Sequence, residues 1–252
     1  MTDDRQDRSH YSYTAYESDD VAEGFEPLRF GGPIGVMFRE HQEGLLTVTF
    51  PDVTNLRILD LGAGTGRTSI PLSLRGARVV SADASFPMLR VAMGNARRSG
   101  TTLSGVRADA HRLPFRDGSF DAVICFRMIM HVVDWRMALA EICRLAVRAV
   151  MIDFPPRCGF AGFAPWVHPL FRLIRKDHQS YRVFGEKEIS DELAKNGFEV
   201  DSVDRHVVLP FGLHRAIGSP GFTRRIESLF RSTGLTGRFG APVTVTALRR
   251  NA

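Results

Sequence analysis

Two aspartates and three alternate glycines carry the clearest chemistry in this chain: Asp60, Gly62, Gly64, Gly66 and Asp83. The apolar run Ile58-Leu59-Asp60-Leu61 enters the turn Gly62-Ala63-Gly64-Thr65-Gly66 and then a helical pattern. Glycine lets the backbone turn tightly and lets a ligand approach where a Cβ would collide with it. Asp83 ends the next apolar run, 21 residues beyond Gly62, where a carboxylate can accept both hydroxyls of a ribose. A pyrophosphate-binding turn wants G-x-G-x-x-G, but here the spacing is G-x-G-x-G and Arg67 fills the sixth place. Asp60 would also repel a pyrophosphate, whereas its charge suits a ligand carrying an amino group and a sulfonium. A nicotinamide-dependent oxidoreductase is therefore the weaker alternative, beside a catalytically inactive protein that keeps the pocket.

These residues need strands to end at them and helices to start after them. Short apolar runs at 57–61, 78–82, 105–108, 122–126 and 149–154 alternate with helical patterns at 67–74, 87–98, 135–145 and 186–196. Such alternation predicts βαβ units around a parallel sheet. Gly197 suits a left-handed helix stop, and the β-branched runs 199–209 and 242–248 predict an antiparallel addition at the sheet edge. The expected fold is α/β, Rossmann-like and doubly wound: a mostly parallel seven-stranded sheet with an antiparallel C-terminal edge and helices on both faces. Residues 1–52, with scattered aromatics and a Gly-Gly-Pro turn, read as an N-terminal tail and helical lid with one or two short helices. Residues 53–252 read as the core. Regular alternation stops at 155–184, a segment rich in aromatics, proline and basic residues, which reads as a substrate cap.

Composition narrows the class. With 252 residues, 44% of them hydrophobic, the chain can bury a substantial core. No run of eighteen apolar residues occurs and the start, MTDDRQDRSH, is polar and acidic, so the expected location is cytoplasmic. Cys125, Cys143 and Cys158 form no C-x-x-C pair, which argues against a disulfide framework or a zinc site; Cys125 is expected in the core. Residues 1–24 hold seven acids against two arginines, while from Arg144 onward seventeen Lys/Arg face ten Asp/Glu. That basic lean suits a nucleic acid, an anionic membrane or an acidic substrate, with a solvated surface as the plainer explanation.

The motif Asp60-Leu61-Gly62-Ala63-Gly64-Thr65-Gly66 resembles the first motif of the class I S-adenosylmethionine-dependent methyltransferases, and the likeness runs from Leu56 to Phe154. The resemblance implies S-adenosyl-L-methionine as cofactor. Asp83 and Ala84 would then stand at the ribose, Asp109 would accept from the adenine amine and Ala110 would offer its backbone amide. Phe126 and Arg127 would border the cofactor. Within the class the chain looks nearest to the enzymes of quinone, lipid and other small-molecule methylation, acting on oxygen, nitrogen or carbon. No Asn/Asp-Pro-Pro-Tyr/Phe motif follows the fourth strand, which disfavours nucleic acid as acceptor.

An oxygen or nitrogen acceptor can need a proton removed, and histidine is the natural base near neutral pH. His131, just past the fourth strand, is the expected base, although histidine also packs structurally at this place in the family it resembles. His111 reads as a surface residue beside the adenine segment. His168 and His178 lie in the expected cap, and Tyr11, Tyr13 and Tyr16 could fold over the cofactor. In the cap, Phe160, Phe163, Trp166 and Phe171 neighbour Arg172, Arg175 and Lys176, the mixture of an interfacial helix, so peripheral contact with an anionic membrane and a lipid-like acceptor are further expectations.

Overall fold

The computed structural model describes residues 15–159 and 181–250. Seven strands form one sheet: β1 Arg57–Leu61, β2 Arg78–Asp83, β3 Ser104–Arg107, β4 Phe120–Cys125, β5 Ala146–Phe154, β6 Phe198–Val207 and β7 Ala241–Arg249. Their order is β3-β2-β1-β4-β5-β7-β6. Neighbours from β3 to β5 run parallel, and β7 lies antiparallel between β5 and β6, as the β-branched runs predict. The described helices are α1 Asp19–Phe30, α2 Gly32–Thr49, α3 Ser69–Leu74, α4 Phe86–Arg98, α5 Trp135–Leu145, α6 Glu186–Lys195, α7 Phe211–Ile217, α8 Pro220–Ser232 and α9 Leu235–Phe239.

Central strands buried on both faces explain the near-continuous apolar runs. Successive residues point to opposite faces, so Leu59, Leu61, Val123 and Cys125 enter one core layer with Trp135, Leu139 and Ile142 of α5. Ile58, Ala122, Ile124 and Met151 enter the other, closed by Leu46 and Phe50 from the end of α2 and by Leu72 of α3. Capping fixes where helices start beside the site. The Ser85 side chain accepts from the Met88 amide at the start of α4, and the Asp134 carboxylate accepts from the Arg136 and Met137 amides at the start of α5.

Three features depart from the sequence reading. The N-terminal helices are longer than expected, at 12 and 18 residues, and they meet at Gly31, where a Cβ would lie 2.3 Å from the Pro27 carbonyl oxygen. The helix expected from residue 67 begins at Ser69, because Arg67 and Thr68 still belong to the turn. Helices α7 to α9 fill the connection between β6 and β7, which the strand pattern passed over; Ser219 before Pro220 is their legible N-cap signal. Of the expected cap at 155–184, residues 160–180 lie outside the described residues, and with them His168, His178 and the aromatic and basic cluster.

Candidate functional site

In an open α/β sheet the ligand crevice opens at the carboxyl ends of the strands where the strand order reverses. Here that point lies between β1 and β4, and a cavity opens there. Its lining includes Asp60, Gly62, Ala63, Gly64, Asp83, Ala84, Asp109, Ala110, Phe126 and His131, all expected from the sequence. Gly66 stands apart from the lining. A Cβ on it would come within 3.2 Å of Ala92 of α4, so its bareness lets a helix approach. Gly62, at φ 73°, would drive a Cβ to 2.7 Å from Met128 in the turn after β4. Gly64, at φ 54°, has nothing nearer to its Cβ direction than the Gly62 carbonyl oxygen at 4.0 Å. It leaves an open cradle.

The floor of the cavity is acidic and tied to the strand ends. Asp83 accepts at one carboxylate oxygen from the Gly64 amide (2.9 Å) and at the other from the Ser85 amide (2.9 Å), so it braces the glycine turn. Gly62 and Ala63 donate their amides to the Ala82 carbonyl at 2.8 and 3.1 Å. Asp60 is buried and accepts from the Ser69 hydroxyl at 2.5 Å; Ser81 in turn donates to Ser69 at 2.7 Å. Burial pushes the Asp60 carboxyl up to about 7, since the charged form loses its water there.

His111 is a correction to the sequence reading. It is buried, not at the surface. Its Nε2 accepts from the Asp134 amide at 3.1 Å, which leaves the proton on Nδ1 to be donated to Asp109 Oδ1 at 2.6 Å. The ring thus ties the Asp109 segment to the N-cap of α5.

A roof of helices, unforeseen in its details, closes the other side. Phe25, Glu26 and Phe30 of α1 and Gln42 of α2 line the cavity together with Tyr16, whose ring meets Phe25 edge-on at 5.9 Å. Of the three N-terminal tyrosines considered, Tyr11 and Tyr13 lie outside the described residues. Glu26 accepts from the Thr65 hydroxyl at 2.6 Å. Arg67 lies over the Phe30 ring, 3.6 Å from its centroid, and donates to Gln42 at 2.6 Å. No local sequence pattern places Phe30 or Gln42 here.

Known proteins are similar to this chain in sequence and in fold. Residues 59–149 match a family model described as a methyltransferase domain. A demethylmenaquinone methyltransferase of Thermus thermophilus is 42% identical over 177 residues, 62% of this chain and 79% of that protein. One from Thermobifida fusca is 47% identical over 103 residues, 38% of this chain and 43% of that protein. In fold, magnesium protoporphyrin IX methyltransferase from Synechocystis, solved with S-adenosylhomocysteine bound, reaches a TM-score of 0.67 at 19% identity, over 95% of this chain and all of that one. Geranyl diphosphate C-methyltransferase from Streptomyces coelicolor reaches 0.61 at 18% identity, over 84% of this chain and 78% of that one.

Proposed function

The chain belongs to the class I S-adenosylmethionine-dependent methyltransferases, and on that premise we propose that it methylates a small-molecule acceptor with an apolar body in the cavity between β1 and β4. The observation that carries this reading is the pairing of Asp83 with the bare Gly64 cradle. A fixed carboxylate faces a turn whose missing Cβ leaves room for a ligand. The cavity fits the cofactor by its donors and acceptors. Asp83 would take the ribose hydroxyls, and Asp109, braced at Oδ1 by His111, would accept from the adenine amine beside the Ala110 amide. Asp60 would face the amino end, and Phe126 would border the cofactor. The bound cofactor supplies an activated methyl group.

The protein's share of the chemistry is binding, alignment and exclusion of water. Holding a nucleophile in line can lower the barrier by about 7 to 11 kcal/mol at its upper limit. His131, in a 3-10 turn after β4 and on the cavity wall, is placed to take a proton from an acceptor oxygen or nitrogen at a ring nitrogen. Apolar side chains around it, Phe126, Met128 and Val132, suit a hydrophobic acceptor. Relatives named for demethylmenaquinone, a porphyrin and geranyl diphosphate are consistent with that choice. Among the described residues no helix is long and apolar enough to cross a membrane. A lipid-like acceptor met at an anionic membrane surface is supported by the sequence of 160–176 alone, and co-sedimentation with anionic vesicles at low salt tests it.

Incubation with methyl-labelled S-adenosylmethionine and extracts fractionated into lipid, metabolite and nucleic-acid pools tests the function. Label is expected in a lipid or metabolite pool. Transfer confined to nucleic acid, or tight binding of a nicotinamide dinucleotide in place of S-adenosylhomocysteine in calorimetry, would overturn the proposal.

A further inference from the structure

The cavity carries guanidinium groups that, among the described residues, make no ion pair with its acidic floor. Arg67 and Arg127 both line it, and they lie close enough to repel one another electrostatically, with Arg39 of α2 also within range of Arg67. Arg67 is packed against Phe30 and its hydrogen-bond partner is the neutral amide of Gln42. Among the described residues neither Arg67 nor Arg127 makes a side-chain ion pair. Burial lowers the Arg67 pKa to about 10, as expected for a cation short of water.

The backbone of Arg127 gives an independent sign. Its φ of 59° is left-handed, and the only other non-glycine residue with positive φ among the described residues is Asn55, a type that tolerates it. Glycine would sit there without strain, so an arginine held in that conformation points to a use for its side chain. The Asp153 carboxylate on β5 accepts from the Arg127 amide and so fixes the turn. Two acids face the arginines: Asp153, engaged by that amide, and Glu26 of α1, engaged by the Thr65 hydroxyl. The exposed Arg127 side chain therefore enters the cavity from a braced backbone.

We propose that the acceptor carries an anionic group, a carboxylate or a phosphate, and that Arg127, with Arg67 behind it, holds that group in the cavity while the apolar body lies against Phe126, Met128 and Val132. This rests on the methyltransferase reading above and deepens it. The same oxyanion chemistry has a second source, the carboxylate of the cofactor itself. Arg67 is packed against Phe30 and bonded to Gln42, whereas the exposed Arg127 side chain lines the cavity beside Phe126, Met128 and Val132, which assigns Arg127 to the acceptor. Planar guanidinium groups pair with carboxylate or phosphate through two parallel N–H donors, which fixes orientation as well as position.

The test uses the full chain saturated with S-adenosylhomocysteine, titrated by calorimetry with decanoate and with decanol. Decanoate is expected to bind about tenfold or more tightly than decanol. Arg127→Gly, which relieves the left-handed strain and so keeps the fold, is expected to abolish that preference while weakening S-adenosylhomocysteine, which the residue also borders, by much less than tenfold. Equal binding of the two probes, or a preference that survives Arg127→Gly, overturns the proposal and leaves the methyltransferase reading standing. A different result also overturns it: Arg127→Gly weakening S-adenosylhomocysteine tenfold but not 5′-methylthioadenosine, which lacks the carboxylate, would assign Arg127 to the cofactor. Failure of S-adenosylhomocysteine to bind the parent protein would remove the methyltransferase reading and this proposal with it.

Discussion

The floor of the cavity takes its polar groups from strand ends, Asp60 on β1 and Asp83 on β2, whereas the roof takes them from α1 and α2, which reach the site through side chains alone. In the floor, register does the positioning: Asp60 pairs with Ser81 and Asp83 with Arg107 inside a parallel sheet. The roof depends on contacts such as Thr65 to Glu26 and Arg67 to Gln42, which join residues 39 and 25 apart in sequence. Backbone ladders buried between two core layers open only with the sheet, while a roof held by a few side-chain bonds can open locally. A ligand can thus be gripped from below by a rigid frame and admitted from above by a looser one.

The comparison breaks most sharply at Gly64. Gly64→Val should cost more than about a hundredfold in S-adenosylhomocysteine affinity, because a branched side chain fills the cradle. Calorimetry reads the affinity, and a circular dichroism spectrum like the parent's would show the floor otherwise intact. Next is Asp83→Asn, for which a loss of about 1.5 to 3 kcal/mol is expected, the range for hydrogen bonds to a charged group. Unchanged affinity in that variant would remove Asp83 from the ligand.

Acid should loosen the roof before the floor. His206 of β6 stacks on His41 of α2, with ring centroids 3.7 Å apart, and burial beside His41, Arg231 and His214 lowers its pKa to about 2. Its ordinary value is 6.5. Below that pH the unfolded chain binds a proton that the folded chain refuses, so stability falls as pH drops from 6.5, by up to about 1.4 kcal/mol per unit. Thermal melts of the parent and of His206→Phe between pH 7 and 5 should diverge, with the variant less acid-sensitive. Phe30→Ala removes the ring beneath Arg67 and should cost about 0.5 to 2 kcal/mol in urea unfolding, with hydrogen exchange rising in α1 and α2 but not in β1.

The smallest expected effect sharpens the role of Asp60. Its carboxyl titrates near 7 in the free protein, and a cationic ligand favours the charged form, so binding should release a proton. Affinity for S-adenosylmethionine should then rise with pH, by about threefold from 6.5 to 7.5, and level off above. Asp60→Asn should flatten that profile; a parent profile already flat would place Asp60 away from the cationic end of the ligand.

What could be read directly from the sequence was local and periodic. Strand β1 and helix α5 fall where the apolar pattern puts them, and the floor aspartates follow because Asp60 stands one residue from the end of β1 and Asp83 closes β2. Parallel strands buried on both faces write a strong signal over a few residues, and a glycine turn between strand and helix writes another. The burial of His111, the closure of α1 and α2 over the site, and the meeting of Arg67 with Phe30 and Arg127 had no such signal. Their partners are distant in the chain or stand on loops, where residue type says little about neighbours. The sheet and the crevice were legible in the sequence because they arise from periodicity and from turns a few residues long, and the cofactor class followed from the resemblance of the glycine motif to a known family. Which side chains close the cavity, and that Arg67 and Arg127 share it, emerges from packing, because those neighbours exist only once the sheet has brought separate helices and turns to the same opening.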